Sequence, residues 1–415
     1  METDLRLVFA LFAIPFGLFF GWPLVRRWLG EDDWLTASIA TFGLSLGALS
    51  LWMFALSLVP RALSVWSILT LPAAVVVMTL AMGGRALAQG RRGAGTTLKS
   101  LTPDPSSIIP LLGVALPLAI ITVNVLYYPF YYPDTLSRYG LFARRIFETR
   151  GLPESVQGYP LLVSLGYAWA FFAGGAVNDR LAGIVSAAFC AATIGVTFTL
   201  AREMYGRRAA LAAAFLAATS TLFVVWGTSG YVDIPTGFFF ALSALFAFRW
   251  LEGGPARNLW LAGLSSGLAI WTKQAGFIIV PSLVGVTVMS VLYPRGTGAA
   301  DQRLSVPISL PLRDAARAGL IFIATITLVA GPWYLRNYLL SGPAAILPLP
   351  GSFYEAQADR RLVALFSFVT RPEEWGWTFA LLGLFGLLYS LLEAVAGQWI
   401  GGTPEGRRRA LFLLA

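Results

Sequence analysis

Long apolar runs separated by short charged segments dominate the chain. A helix that crosses a bilayer needs about 20 mostly apolar residues, because lipid cannot hydrogen-bond to an exposed backbone. The clear runs of this kind are Leu5–Val25, Leu35–Val59, Val65–Gly83, Ile108–Phe130, Leu181–Ala201, Ala209–Thr228, Ile234–Leu251, Leu259–Thr272, Phe277–Tyr293, Ala318–Leu335 and Trp377–Ala396. Tyr159–Val177 is short and glycine-rich, and Ala410–Ala415 begins a helix that stops. The pattern predicts an all-α polytopic integral membrane protein with about 12 transmembrane helices.

Composition supports this class. Of the 415 residues, 57% are hydrophobic and 12% are charged, and the mean hydropathy is +0.71. That is more apolar surface than one soluble core can hide. The first run lacks the basic segment and cleavage site of a signal peptide, so we expect it to be retained. The single cysteine, Cys190, and the absence of histidine argue against disulfides and histidine-ligated metal sites.

The net charge is +9, and the positions of the basic residues match a topology set by the apolar runs. If Ile108–Phe130 runs outward, most of the 30 basic residues fall in cytoplasmic loops, as the positive-inside rule requires. This explains the charge better than binding to nucleic acid, which we do not expect. The same topology requires Tyr159–Val177 not to cross fully, and predicts an interfacial or re-entrant helix covered by other protein. It also makes Lys273 and Gln274 an external turn.

The strongest internal boundary is the polar stretch Gly84–Ser107. It predicts a three-helix membrane extension over residues 1–106 and a second membrane module over residues 107–415. No internal repeat stands out, and this counts against a transporter built from two similar halves.

Several charged residues fall at the outer face, where topology does not explain them. In YYPDTLSRYGLFARRI, the helical spacing puts Phe142, Ala143 and Ile146 on one face, which predicts an external amphipathic helix. Asp134 suits the start of that helix, but a carboxylate there also suits accepting a proton from a hydroxyl. An anionic ligand at the outer face would explain why basic residues, including Arg138, lie there.

Three further outer-face residues also have two interpretations. Asp233 begins an inward span and is either a helix-start acid or a site residue. Lys273, in WTKQAG, either reaches the lipid headgroups or binds a phosphate. Arg336, in GPWYLRNYLLSG, either anchors its helix beside Trp333 and Tyr334 or forks onto phosphate oxygens.

The serial order of these motifs carries a resemblance over Ile108 to about Leu340. The segments are YYPDTLSRYGLFARRIFETRGLP, GYPLLVSLGYAW, DRLAGIVSAAFCAATIGVTFTLAREMYGRRAALAAAFLAATSTLF, YVDIPTGFFFALSAL, GLAIWTKQAG and GPWYLRNYLLSG. Together they resemble the GT-C glycosyltransferases, closest to the branch of protein O-mannosyltransferases and lipid A aminoarabinose transferases. The resemblance implies transfer of a sugar from a polyprenyl phosphate carrier to an acceptor at the outer face.

The resemblance also implies roles for particular segments. Asp134 matches the acid of the first external loop, while Thr135–Arg150 and Tyr159–Val177 match its two juxtamembrane helices. Asp233 matches the acid of the second external loop, and residues 107–415 become a GT-C-like catalytic module. Two departures are that Asp134 lacks the second acid often found beside it, and that the C-terminal portion is short or truncated.

We therefore predict a polyprenyl-phosphate-sugar-dependent glycosyltransferase of the plasma membrane, with its active site on the extracytoplasmic face. No metal-binding residue is predicted, no cofactor is certain, and dependence on a divalent metal stays open. The partners are the donor, membrane lipids and a protein, lipid or glycan acceptor. The alternatives are a transporter or carrier of an anionic lipid or sugar, and a non-catalytic scaffold. The predicted site comprises Asp134 and Asp233 for catalysis, Arg138, Lys273 and Arg336 for the lipid phosphate, and Tyr159, Gln274 and Asn337 for the substrate.

Overall fold

The computed structural model describes residues 2–29, 33–87, 105–292, 309–342 and 377–396, together with residues 409, 412 and 413. These residues form helices and no strand, which confirms the predicted all-α class. The polar stretch 88–104, the segment 343–376 and most of Ala410–Ala415 lie outside the described residues. The α-helices are α1 (Glu2–Phe19), α2 (Trp22–Leu29), α3 (Trp34–Ser57), α4 (Val65–Leu87), α5 (Pro105–Tyr127), α6 (Gly140–Thr149), α7 (Leu162–Gly174), α8 (Asp179–Tyr205), α9 (Arg207–Thr219), α10 (Thr221–Ser229), α11 (Asp233–Leu251), α12 (Ala256–Thr272), α13 (Ile279–Leu292), α14 (Ser309–Ser341) and α15 (Trp377–Ala396).

Helices long and apolar enough to cross a membrane confirm a multi-pass membrane protein. In the described part of the chain there are six, and a seventh if α9 and α10, which are bent by 60° at their junction, form one span. The apolar parts of α4, α13 and α15 are shorter, so the count of about twelve stays a prediction. The six are Leu5–Arg27, Trp34–Ser57, Ile108–Tyr127, Asp179–Tyr205, Asp233–Leu251 and Ala315–Ser341.

The chain divides into two compact units. The first consists of Met1–Val156, Leu161–Thr219 and Trp226–Pro235. The second consists of Gln157–Pro160, Ser220–Val225 and Thr236–Ala415. The predicted boundary after residue 106 stays a prediction.

The centre of the first unit is the short helix α7. Every residue from Leu162 to Ala173 is buried, and α7 packs against α1, α3, α6 and α8. Its 13 residues span only about 20 Å, less than the hydrocarbon core of a bilayer. The segment Tyr159–Val177 therefore has the features expected of one that does not cross fully and is covered by other protein.

The helix after the first loop has the predicted amphipathic face. Within α6, Phe142, Ala143 and Ile146 are buried, whereas Arg144 and Glu148 are exposed and form an ion pair of 3.8 Å one turn apart. The helix ends where Arg150 takes a left-handed conformation, with φ of 52°.

In the second unit, two glycines let α12 approach α14 closely. Gly263 and Gly267 lie one turn apart on α12, and both face Thr325 of α14. A Cβ atom on Gly267 would lie 2.8 Å from the Cβ of Val329 and 3.1 Å from the backbone oxygen of Thr325. Small residues at this spacing are typical of helix pairs packed closely in membranes.

We expect Gly267→Ala to lower the free energy of unfolding by about 1–3 kcal/mol, because the added methyl group meets backbone and a β-branched side chain. Gly237→Ala is the matched control. Gly237 lies on α11 with nothing within 4 Å of an added Cβ, so this change should be neutral or stabilise the helix by up to about 1 kcal/mol. Thermal unfolding of the detergent-solubilised protein measures both variants. Equal melting temperatures would contradict the close helix approach.

An ion pair between Asp33 and Arg202 joins the start of α3 to the end of α8. The Asp33 carboxylate also caps α3, accepting hydrogen bonds from the backbone N–H of Leu35 at 3.2 Å and the hydroxyl of Thr36 at 2.8 Å. Burial alone would raise the pKa of Asp33, but hydrogen bonds from Arg202 and Thr36 and the charge of Arg202 outweigh it, so this pKa is lowered. Topology predicts the cytoplasmic side for both ends of the pair.

The lowered pKa of Asp33 predicts a pH-dependent stability. The ionised carboxylate stabilises the fold fully above its unfolded pKa of about 3.9, and this contribution is lost as the pH falls through the lower folded value. Asp33→Asn is the reference, because asparagine can still cap α3 but cannot pair with Arg202. The difference in melting temperature between the two proteins should be constant near neutral pH and shrink below about pH 4. A difference that does not change with acidification would refute this.

Candidate active site

Asp134 lies at the start of the first loop helix, beside Arg138. After α5 the chain makes a π-helical turn over Thr135–Tyr139 and continues into α6. The Asp134 side chain makes no capping hydrogen bond. Its Oδ1 instead lies 3.2 Å from Nη1 of Arg138, and the two side chains are 43% and 39% exposed. The predicted base and one predicted phosphate ligand are therefore an ion pair one turn apart.

Two hydrogen bonds fasten this loop to the segment that precedes Asp233. The hydroxyl of Thr135 donates to the backbone oxygen of Ser229 at 2.7 Å. The backbone N–H of Asp134 donates to the hydroxyl of Tyr231 at 3.4 Å. The Tyr231 ring also meets the ring of Tyr132 edge-on, with centroids 5.6 Å apart. The loops that carry the two predicted catalytic acids are thus joined to each other within the first unit.

Tyrosines surround the entry to the first loop. Tyr131 and Tyr132 have ring centroids 4.6 Å apart, and Tyr127 and Tyr128 have centroids 4.8 Å apart. The hydrogen bond with Tyr132, helped by slight burial, raises the pKa of Tyr131. Such a cluster suits the boundary between lipid and water, where one end of the side chain is apolar and the other is polar.

Asp179 contacts the chain just before the first loop, and sequence reasoning missed it. It is the first residue of α8 and is half-buried. Its carboxylate accepts a hydrogen bond from the backbone N–H of Phe130 and interacts with the charge of Arg144. Asp179 therefore holds the chain at Phe130, just before the first loop. An acid after the helix cap Asn178 looks like ordinary helix-start chemistry in the sequence, and only the fold reveals its partner.

In the second unit, the turn after α12 carries Lys273 and Gln274. Helix α12 ends at Thr272, Lys273 is extended, and Gln274–Ile278 form a 3-10 turn. The side-chain Nε2 of Gln274 donates to the backbone oxygen of Gly158 at 2.7 Å. Gln274 thereby fixes the segment that contains Tyr159, so it contributes to the structure here.

Helix α14 runs further than predicted. Its apolar stretch was expected to end at Leu335, but the helix continues to Ser341 and ends at Gly342, whose φ is 72°. No glycine or proline interrupts GPWYLRNYLLS after Pro332, and Gly342 is the first residue suited to a left-handed helix end. Asn337 is consequently buried one turn inside the helix.

Aromatic rings hold the end of α14 against α12. Trp333 meets Trp271 edge-on, with centroids 5.9 Å apart, and the guanidinium of Arg336 lies 5.5 Å from the centroid of the Trp333 ring. A guanidinium near an aromatic ring can still donate its N–H groups to phosphate. The contact is therefore compatible with phosphate binding by Arg336.

Two buried polar groups lie on the same face of α14. Asn337 is 0% exposed and Tyr334 is 7% exposed. Neither the Asn337 amide nor the Tyr334 hydroxyl has a hydrogen-bond partner among the described residues. Sequence reasoning identified Asn337 but assigned Tyr334 to the aromatic belt. Buried polar groups in this state normally have a bound water or ligand as partner.

The predicted site residues fall into two sets. Asp134, Arg138 and Asp233 belong to the first unit. The second unit contains Tyr159, Lys273, Gln274, Arg336 and Asn337. In the described part of the chain, no three side chains of the histidine, cysteine, aspartate and glutamate types are grouped so as to hold a metal ion, and metal dependence stays open.

Comparison with known proteins supports the resemblance. The family model of dolichyl-phosphate-mannose-protein mannosyltransferases matches residues 164–297 of the chain. This match supports a GT-C-type membrane glycosyltransferase. The matched region runs from α7 through α13 and includes Asp233, Lys273 and Gln274, while Asp134, Arg138, Arg336 and Asn337 lie outside it. No curated protein and no solved structure matches the chain.

Proposed function

We propose that this GT-C enzyme transfers a sugar from a polyprenyl phosphate to an acceptor at the extracytoplasmic face of the plasma membrane. The observation that carries the proposal is the attachment of the Asp134 loop to the Asp233 segment, through Thr135 and Ser229. This attachment holds two acids on loops that topology assigns to the outer face. The family whose model matches is named for a polyprenyl-phosphate-linked mannose, which supports a donor of that chemical class.

The proposed chemistry is a single inverting displacement. Asp134 takes the proton from the acceptor hydroxyl or amine, and the acceptor oxygen or nitrogen forms a bond to the anomeric carbon. The bond from that carbon to the phosphate oxygen breaks, and its electron pair leaves with the lipid phosphate. Asp233 orients the sugar or the acceptor. The half-exposed position of Asp134 leaves its carboxylate within reach of an acceptor from the aqueous side.

The leaving phosphate gathers negative charge, so cationic side chains are better suited to stabilising the transition state than to holding the neutral sugar. Arg138, Lys273 and Arg336 are assigned this role. The contact of the Arg336 guanidinium with the Trp333 ring favours one placement of the side chain, which lowers the entropic cost of holding a phosphate. Tyr159, Gln274 and Asn337 are assigned to the sugar or acceptor, and the buried amide of Asn337 offers both a donor and an acceptor for hydroxyl groups.

Asp134→Asn tests the proposed base. The substitution keeps the shape of the side chain but removes its basicity, so we expect turnover of a labelled polyprenyl-phosphate sugar to fall by about 10²–10⁴-fold. Glu148→Gln is the matched control, because it neutralises an exposed acid on the adjoining helix and should change turnover by less than about twofold. Wild-type turnover in Asp134→Asn would reject the catalytic role. Movement of labelled lipid without cleavage of the sugar bond would instead favour a carrier.

Asn337→Leu tests ligand binding by the buried amide. Leucine has a similar size and no polar atom, so the melting temperature should stay the same or rise, while the KM for the donor should rise by about tenfold as hydrogen bonds to the ligand are lost. Thr325→Val is the control on the same helix, since its hydroxyl already donates to the backbone oxygen of Ile321 at 2.7 Å. This control should leave KM unchanged. A large fall in the stability of Asn337→Leu, with KM unaltered, would show that the amide serves the fold.

A further inference from the structure

Tyr167 contacts the chain before both acids of the first unit. It lies on α7 and is fully buried. Its hydroxyl donates to the backbone oxygen of Gly230 at 2.8 Å and shares a second hydrogen bond of 2.8 Å with the hydroxyl of Ser186 on α8. Its ring packs on Phe130, with centroids 4.9 Å apart. Gly230 precedes Asp233 by three residues, and Phe130 precedes Asp134 by four.

Gly230 is the point where these contacts converge. Its φ is 73°, a left-handed conformation that favours glycine. A Cβ atom there would lie 2.7 Å from the Phe130 ring and 3.2 Å from the methyl group of Thr135. The residue is therefore enclosed by the first loop, while its carbonyl is held by Tyr167 from α7. The neighbouring carbonyl of Ser229 accepts the hydroxyl of Thr135 at 2.7 Å.

We infer that the Tyr167 hydroxyl is a positioning group that fixes the Ser229–Tyr231 segment, and through it the placement of Asp134 and Asp233. This inference rests on the proposed function. Tyr167 acts through backbone and does not touch the reacting atoms. Without its hydroxyl, the Gly230 carbonyl loses a buried partner, and the segment shifts to find another. A displacement of about 1 Å at a catalytic group can cost about 10²-fold in rate.

Tyr167→Phe removes only the hydroxyl and keeps the ring on Phe130. We expect kcat for sugar transfer to fall by about 10- to 100-fold, while the KM for the donor changes by less than about threefold. Ser186→Ala is the matched control, because it removes the other hydrogen bond of the same hydroxyl and leaves the bond to Gly230. This variant should keep kcat within about threefold of the wild-type value. Melting temperatures of both variants show how far each change disturbs the fold.

The double variant with Thr135→Val tests whether Tyr167 acts through the shared segment. If both hydroxyls fix Ser229–Tyr231, the fall in kcat for Tyr167→Phe/Thr135→Val should be smaller than the product of the two single effects. Multiplicative effects, unchanged kcat in Tyr167→Phe, or equal losses in Tyr167→Phe and Ser186→Ala would each overturn the positioning role. Failure of the proposed function can be told apart from failure of the positioning role, because only the former gives wild-type turnover in Asp134→Asn. An inactive Asp134→Asn with an active Tyr167→Phe would reject only the present inference.

Discussion

Non-helical backbone inside a membrane protein needs internal hydrogen-bond partners, and the acid-bearing loops of this chain meet that constraint together. The chain leaves the helical conformation around Phe130 and again between Ser229 and Asp233. At the first break, Asp179 and Tyr231 accept hydrogen bonds from the backbone N–H groups of Phe130 and Asp134. At the second, Thr135 and Tyr167 donate hydrogen bonds to the backbone carbonyls of Ser229 and Gly230. Because Phe130, Ser229 and Gly230 are buried in the protein, water does not replace these bonds there, and satisfying the backbone also holds the segments that carry the two acids.

The buried helix α7 follows from the same constraint. A segment too short to cross the bilayer can remain there only if protein covers it, and α7 is covered along its whole length. Its burial gives Tyr167 a rigid position from which to hold the Gly230 carbonyl. Close packing around α7 therefore provides the support that loops alone would lack.

Periodicity predicted the parts of this structure that depend on local sequence. The buried face of α6, the turn at Lys273 and the short helix within Tyr159–Val177 follow from apolar spacing and charge placement along one stretch of chain. Contacts between distant residues had no such signal. Asp179 and Tyr231 look like ordinary helix-start and interface residues until the fold brings Phe130 and Asp134 to them. The end of α14 was misplaced because charge at Arg336 suggested a boundary, whereas the helix continues until Gly342 supplies a left-handed residue.

The ion pair between Asp134 and Arg138 is compatible with separate roles for its two members. Both side chains are about two-fifths exposed, and a pair of that kind contributes at most about 1 kcal/mol, because water screens the charges. A phosphate that binds Arg138 therefore loses little by replacing the contact with Asp134, and it forms charge-assisted hydrogen bonds in return. In the proposed reaction, arrival of the donor would thus release the Asp134 carboxylate from Arg138 for contact with the acceptor.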